Sequence, residues 1–205
     1  MFKFDTDWLK DGMILHGRSY GFFGKIIRKC LPKAWGNHDG IFIFKHDRWW
    51  VGESAPLIAR LTPIESYESW VDAGEYEVKI YDVVGANTDD RKKAVDYWLT
   101  HVNGTFYDFL AFPRLFFKSV FGDLWKKAAG WEWAHWCTEG VCFAWESGAS
   151  MLVWNKSNPT PYTTEKRVGT TLVDVTEKVT KLEVHNEDAE EQEHRGCLGL
   201  HRAFG

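Results

Sequence analysis

The chain has 205 residues, 44% of them hydrophobic and 16% aromatic, with a formal net charge of −4. That is enough apolar material for one folded domain with a real core, and the negative balance argues against a nucleic-acid backbone as the main partner. No apolar run approaches the ~20 residues of a membrane span, and the start MFKFDTDWLKDG lacks the basic-then-apolar pattern of a signal peptide, so a cytoplasmic protein is expected.

Asp11-Gly12 supplies a turn before a strand over Met13–His16. Apolar Phe22, Phe23, Ile26, Ile27 and Leu31, with Lys25, Arg28 and Lys29 between them, predict an amphipathic helix within Tyr20–Leu31 that Pro32 ends. Ile41–Phe44 reads as a buried strand, Lys45-His46-Asp47 as a turn and Trp49–Glu53 as the antiparallel return. Leu57–Leu61 and Glu75–Val84 read as further strands, the second with Tyr76, Val78 and Ile80 alternating against Glu75, Glu77 and Lys79.

Asn87 or Thr88 then caps a helix with Asp89 and Asp90 in its first turn and a buried stripe at Ala94, Val95, Trp98, Leu99 and Val102, ended by Gly104. A segment dense in aromatics, Phe112–Trp133, reads either as packing or as an apolar wall beside a site. Asn158-Pro159-Thr160-Pro161 is a turn, and Thr170–Val175 a last strand. Beyond residue 182 the chain is acidic and poor in apolar residues, so the domain is expected over 1–182 and a flexible tail over 183–205.

The chemistry-bearing stretch is HWCTEGVCFAW, His135–Trp145. Cys137 stands where a helix should begin, with Val141, Ala144 and Trp145 forming its buried face. The positive end of a helix dipole favours a thiolate over a thiol, which is one way to make a nucleophile at neutral pH. The other reading of Cys137 is a small buried apolar residue, the usual fate of an unpaired cysteine; Cys30, Cys142 and Cys197 have no such helix-start setting. Zinc is not favoured, since no CxxC occurs; His135 and Cys137 are near one another but lack partners, and no metal or cofactor is expected. A cysteine hydrolase also needs an imidazole and a group to orient it. His38 lies just before the Ile41–Phe44 strand and Glu53 ends the return strand, so a tight hairpin brings the two to one end of the sheet, with the Glu53 carboxylate accepting Nδ1–H of His38.

These residues carry a resemblance. Asn37-His38-Asp39-Gly40-Ile41 before a strand, then Trp136-Cys137-Thr138-Glu139 opening a helix, in the order histidine first and cysteine last, resembles the circularly permuted papain-like amidases, the YiiX/YaeF-like branch of the NlpC-type cysteine hydrolases. Asp11-Gly12-Met13-Ile14, Glu53-Ser54-Ala55 and the stretch from Gly104 through Tyr107-Asp108-Phe109 add to it. The resemblance implies an α+β, permuted papain-like fold, an antiparallel barrel-like sheet packed on the helix carrying the cysteine. It also implies a cysteine peptidase or amidase, with Cys137 as nucleophile, His38 as base and Glu53 as orienting residue. Trp136, Tyr107 and Asp39 are the expected substrate contacts; Asp39 departs from the small or apolar residue usual in the family, which would alter the cleft edge. Peptides, including cell-wall peptides, are the implied substrates. Lipid acyl transfer or hydrolysis on the same fold is the alternative, and an inactive papain-like binding module is another.

Overall fold

The computed structural model describes residues 1–107, 137–154 and 159–182. Among these, six strands form one antiparallel sheet in the order β5-β4-β3-β2-β6-β7: β2 is Ile14–Ser19, β3 His38–Lys45, β4 Arg48–Ser54, β5 Ala59–Pro63, β6 Tyr76–Val83 and β7 Leu172–Asp174. A separate two-stranded ladder pairs β1, Phe2–Phe4, with β8, Thr180–Leu182. No helix among the described residues is long and apolar enough to cross a membrane.

The middle strands are apolar on both faces because both faces are covered. Ile14, Ile41 and Ile43 point into one cluster with Trp98, Val141, Trp145 and Trp154. Their neighbours Leu15, Phe42 and Val51 point into the other, with Phe4, Ile64, Tyr67 and Ile80. This period-2 division is what a strand buried between two layers requires. The first layer holds α3, Thr88–Tyr97, with the π-helical turn Trp98–Val102 that continues it. It also holds α4, Cys137–Phe143, extended by a π-helical turn over Ala144–Gly148. The second layer holds β1 and α2, Ile64–Asp72.

The hairpin that carries the candidate site turns in two residues. Lys45 pairs with Arg48 across His46 and Asp47, whose φ angles of 54° and 57° give the inverse turn that matches strand twist. The helix expected within 20–31 is α1, Phe22–Cys30, and the Asn87 cap is a full capping box with Asp90. The strand expected at Leu57–Leu61 starts later, at Ala59, because Leu57 takes φ 91° and turns the chain after Pro56. Helix α2 is absent from the expectations above, although Ile64, Tyr67 and Glu68 supply its buried spacing. Helix α4 lies close against the Trp98–Val102 turn and the end of β4 because position 140 is glycine: a Cβ there would stand 2.9 Å from Val102 Cγ1 and 3.2 Å from Ser54 Oγ.

Candidate active site

Strand alternation decides which side chains meet. His38 opens β3 and Glu53 lies near the end of β4, where Gly40 pairs with Glu53. His38 therefore shares a face with Glu53, and Nε2 of His38 lies 2.7 Å from Oε2 of Glu53. The nitrogen differs from the Nδ1 expected from the sequence. Because Nε2 is taken by the carboxylate, Nδ1 is left for a second partner, and Cys137 is a neighbour that favours the charged form of the ring.

Glu53 lies on an interior strand, since β4 runs between β3 and β5, and the residue is only 5% exposed. Its oxygens are shared among several donors. Thr62 Oγ1 donates to Oε1 at 2.5 Å, Tyr67 donates its hydroxyl to Oε2 at 2.7 Å, and Arg60 Nε stands 3.6 Å from Oε1. Burial opposes the Glu53 charge, but hydrogen bonds from His38, Thr62 and Tyr67 and the charge on His38 outweigh it and hold the carboxyl at about 2. Burial likewise opposes charge on His38, and Cys137 and Glu53 overcome it, pushing the imidazole up to about 10. At neutral pH the ring is then an imidazolium that can donate from both nitrogens.

A cleft of about 210 Å³ opens over this pair. His38, Glu53 and Asn37 line it, together with Phe22, Phe23 and Ile27 of α1, Pro56, Trp70 of α2, Tyr76 and Tyr107. Ser19, Ser54 and Arg60 also line it, so the dyad sits between an apolar wall from α1 and Trp70 and a more polar rim. Cys137 is 4% exposed and does not line the cleft itself, so His38 is the group that joins the sulfur to it. Burial, and then the neighbouring Cys137, hold the Tyr107 hydroxyl well above the usual tyrosine range. Tyr107, an expected substrate contact, lines the cleft. The Tyr76 hydroxyl is likewise held well above the usual range, by burial first and then by the neighbouring Glu53, Cys137 and Asp39.

Asp39 corrects the sequence expectation. It was expected at the cleft edge, but being next to His38 on a strand it points to the opposite face, where it is fully buried. There its Oδ1 lies 2.6 Å from Nδ1 of His16, its cross-strand partner on β2, while Oδ2 accepts from Thr138 at 2.5 Å and from Thr164 at 3.0 Å. Trp136, the third expected contact, and the aromatic segment 112–133 lie outside the described residues, as do the tail and Cys197.

Other histidines have other employment. His46 is exposed in the hairpin turn, and His101 is exposed and stacked on Tyr97 at 4.3 Å. Burial raises the thiols of Cys30 and Cys142 above the ordinary range, with Glu146 adding to the effect at Cys142. The residues that sequence reasoning missed are Thr62, Tyr67 and Arg60 around Glu53, and His16 with Thr164 around Asp39. Each becomes visible only once strand pairing or helix docking is known.

No protein-family model and no curated protein matches the chain. Among solved structures it is similar to the metalloprotein YiiX from Escherichia coli O157:H7, at 15% identity and a TM-score of 0.60, over 81% of this chain and 96% of that one. Among the described residues here, no group of three or more His, Cys, Asp or Glu is placed to hold a metal ion, and Nε2 of His38 is taken by Glu53. At that level of identity the likeness concerns the fold: this is a mixed α+β chain, an antiparallel sheet with helices, similar in fold to YiiX.

Proposed function

We propose that the protein is a cysteine hydrolase of the permuted papain-like, NlpC-type kind, acting on an amide or ester bond. One observation carries the reading: the His38 imidazole is held by the buried carboxylate of Glu53 and has Cys137 as a neighbour that favours its charged form. A cationic imidazole beside a sulfur is the setting in which a cysteine becomes a nucleophile, and a carboxylate behind it fixes the ring's orientation.

In this mechanism Cys137 Sγ attacks the substrate carbonyl carbon, and the carbonyl electron pair moves onto oxygen. Backbone N–H groups in the first turn of α4 stabilise that oxyanion. The carbonyl re-forms as the bond to the leaving group breaks. His38 gives its proton to the departing amine or alkoxide, leaving a thioester. His38 then takes a proton from water, whose oxygen attacks the thioester. The acid departs and the sulfur regains its starting state. Glu53 stays ionised throughout, held by Thr62 and Tyr67 as well as by His38.

The cleft lining favours an apolar acyl group or a bulky side chain over a small polar one, because Phe22, Phe23, Ile27 and Trp70 surround the dyad. A series of nitrophenyl esters and matched amides of rising acyl length tests both points. Rates are expected to rise with acyl length and to vanish in Cys137→Ala. Flat or falling rates, with cleavage of purified cell-wall peptides, would replace the apolar substrate by a cell-wall one. Full activity of Cys137→Ala would remove the cysteine from the chemistry.

A further inference from the structure

The buried polar cluster on the helix side of the sheet has no part in the chemistry above, yet it touches both ends of it. Asp39 follows His38 directly in β3, and Thr138 follows Cys137 directly in α4. The Thr138 hydroxyl donates to Asp39 Oδ2 at 2.5 Å, with both residues fully buried. Two adjacent pairs, one on a strand and one at a helix start, are thus clamped through their second members.

The clamp is itself fixed on its other sides. His16 is fully buried, with Nδ1 at 2.6 Å from Asp39 and Nε2 at 3.2 Å from Glu165. Only the doubly protonated ring donates to both carboxylates. Burial opposes that charge, but Asp39 and Glu165 outweigh it and push His16 up to about 9. Glu165 also accepts backbone N–H bonds from Trp35 and Gly36, just before the His38 strand. Thr164 closes the set, donating to Asp39 at 3.0 Å while accepting from Trp154 Nε1 at 3.0 Å. Every polar group in this set has a partner, so its geometry is well determined.

We propose that Asp39 is a positioning residue for the Cys137–His38 pair, acting through its bond to Thr138 and held in place by His16. The strand delivers His38 to one face and Asp39 to the other, so Asp39 fixes the helix start from behind while His38 meets the sulfur in front. Losing the Thr138 hydroxyl leaves the fold's apolar packing intact but lets the start of α4 shift relative to β3. Displacements of that kind are costly: about 1 Å of misplacement can cost roughly 100-fold in rate. This inference rests on the cysteine–histidine reading above, and the test separates the two.

The experiment measures alkylation of Cys137 by iodoacetamide near neutral pH in the full chain, with peptide mapping, for wild type, Thr138→Val, Thr138→Ser and His38→Ala. Thr138→Val keeps the shape and removes the donor; Thr138→Ser keeps the donor. Alkylation in Thr138→Val is expected to slow by roughly 10- to 100-fold, with Thr138→Ser returning close to wild type. With the ester substrates, kcat should fall and KM should stay. If Thr138→Val does not fold, Asp39→Asn takes its place, and the same slowing is expected there. Wild-type alkylation in Thr138→Val or Asp39→Asn, or failure of Thr138→Ser to restore it, overturns the positioning role. If His38→Ala slows alkylation while Thr138→Val does not, the positioning role alone falls. If neither slows it, the cysteine–histidine reading falls as well.

Discussion

His38→Ala is expected to lose turnover by roughly 1000-fold or more, the scale on which a general acid–base is worth keeping. It should also change how Cys137 alkylation depends on pH. In the wild type the imidazole is pushed up to about 10 by Cys137 and Glu53 against the cost of burial, so the ring stays cationic through neutral pH and alkylation should vary little there. Without the ring, alkylation near neutral pH should slow, since the neighbouring cation is lost. Glu53→Gln should cost less, because Nε2 of His38 keeps an oxygen to donate to and Thr62 and Tyr67 remain nearby. Equal activity in His38→Ala and wild type would move the chemistry elsewhere.

Trp145→Ala is expected to be the most damaging single change to stability. Trp145 is fully buried in the cluster that seats α4 on the sheet, and its Nε1 donates to the Gly12 carbonyl at 3.2 Å. Truncating a buried tryptophan costs about 3–5 kcal/mol, a fall of roughly 10 °C or more in Tm for a chain of this size. The orphaned Gly12 carbonyl adds to that. A drop of only a degree or two on thermal unfolding would mean that α4 is held by something other than this core.

Much of the fold is legible locally. Ile41–Phe44 is a short apolar run bounded by turn residues, and Asn87 with Asp89 and Asp90 writes its own helix start, so β3 and α3 appear where periodicity and capping put them. The His38–Glu53 contact is also local in kind, because two strands joined by a two-residue turn must bring their outer ends together. Which ring nitrogen faces the carboxylate is not local, since it depends on where Cys137 approaches from, about a hundred positions later in the chain.

Asp39 shows the limit most clearly. Its place beside His38 in the sequence suggests a shared cleft, but alternation sends it through the sheet to meet His16, Thr138 and Thr164. Those partners come from β2, from the start of α4 and from α5, Pro161–Glu165. None is recognisable as a partner until the strands are paired and the helices docked. Tyr67 is hidden for a similar reason: its hydroxyl matters only because α2 packs on the Glu53 face.

Trapping of an acyl-enzyme decides the matter most directly. The full chain is incubated with a nitrophenyl ester of a long acyl group, quenched in acid within the first turnover, and mapped by mass spectrometry. The acyl mass is expected on Cys137 in wild type, to persist longer in Glu53→Gln, and to be absent in Cys137→Ala. Ester hydrolysis with no covalent adduct, or an adduct on Cys30, Cys142 or Cys197 in place of Cys137, would contradict a thioester mechanism at this site.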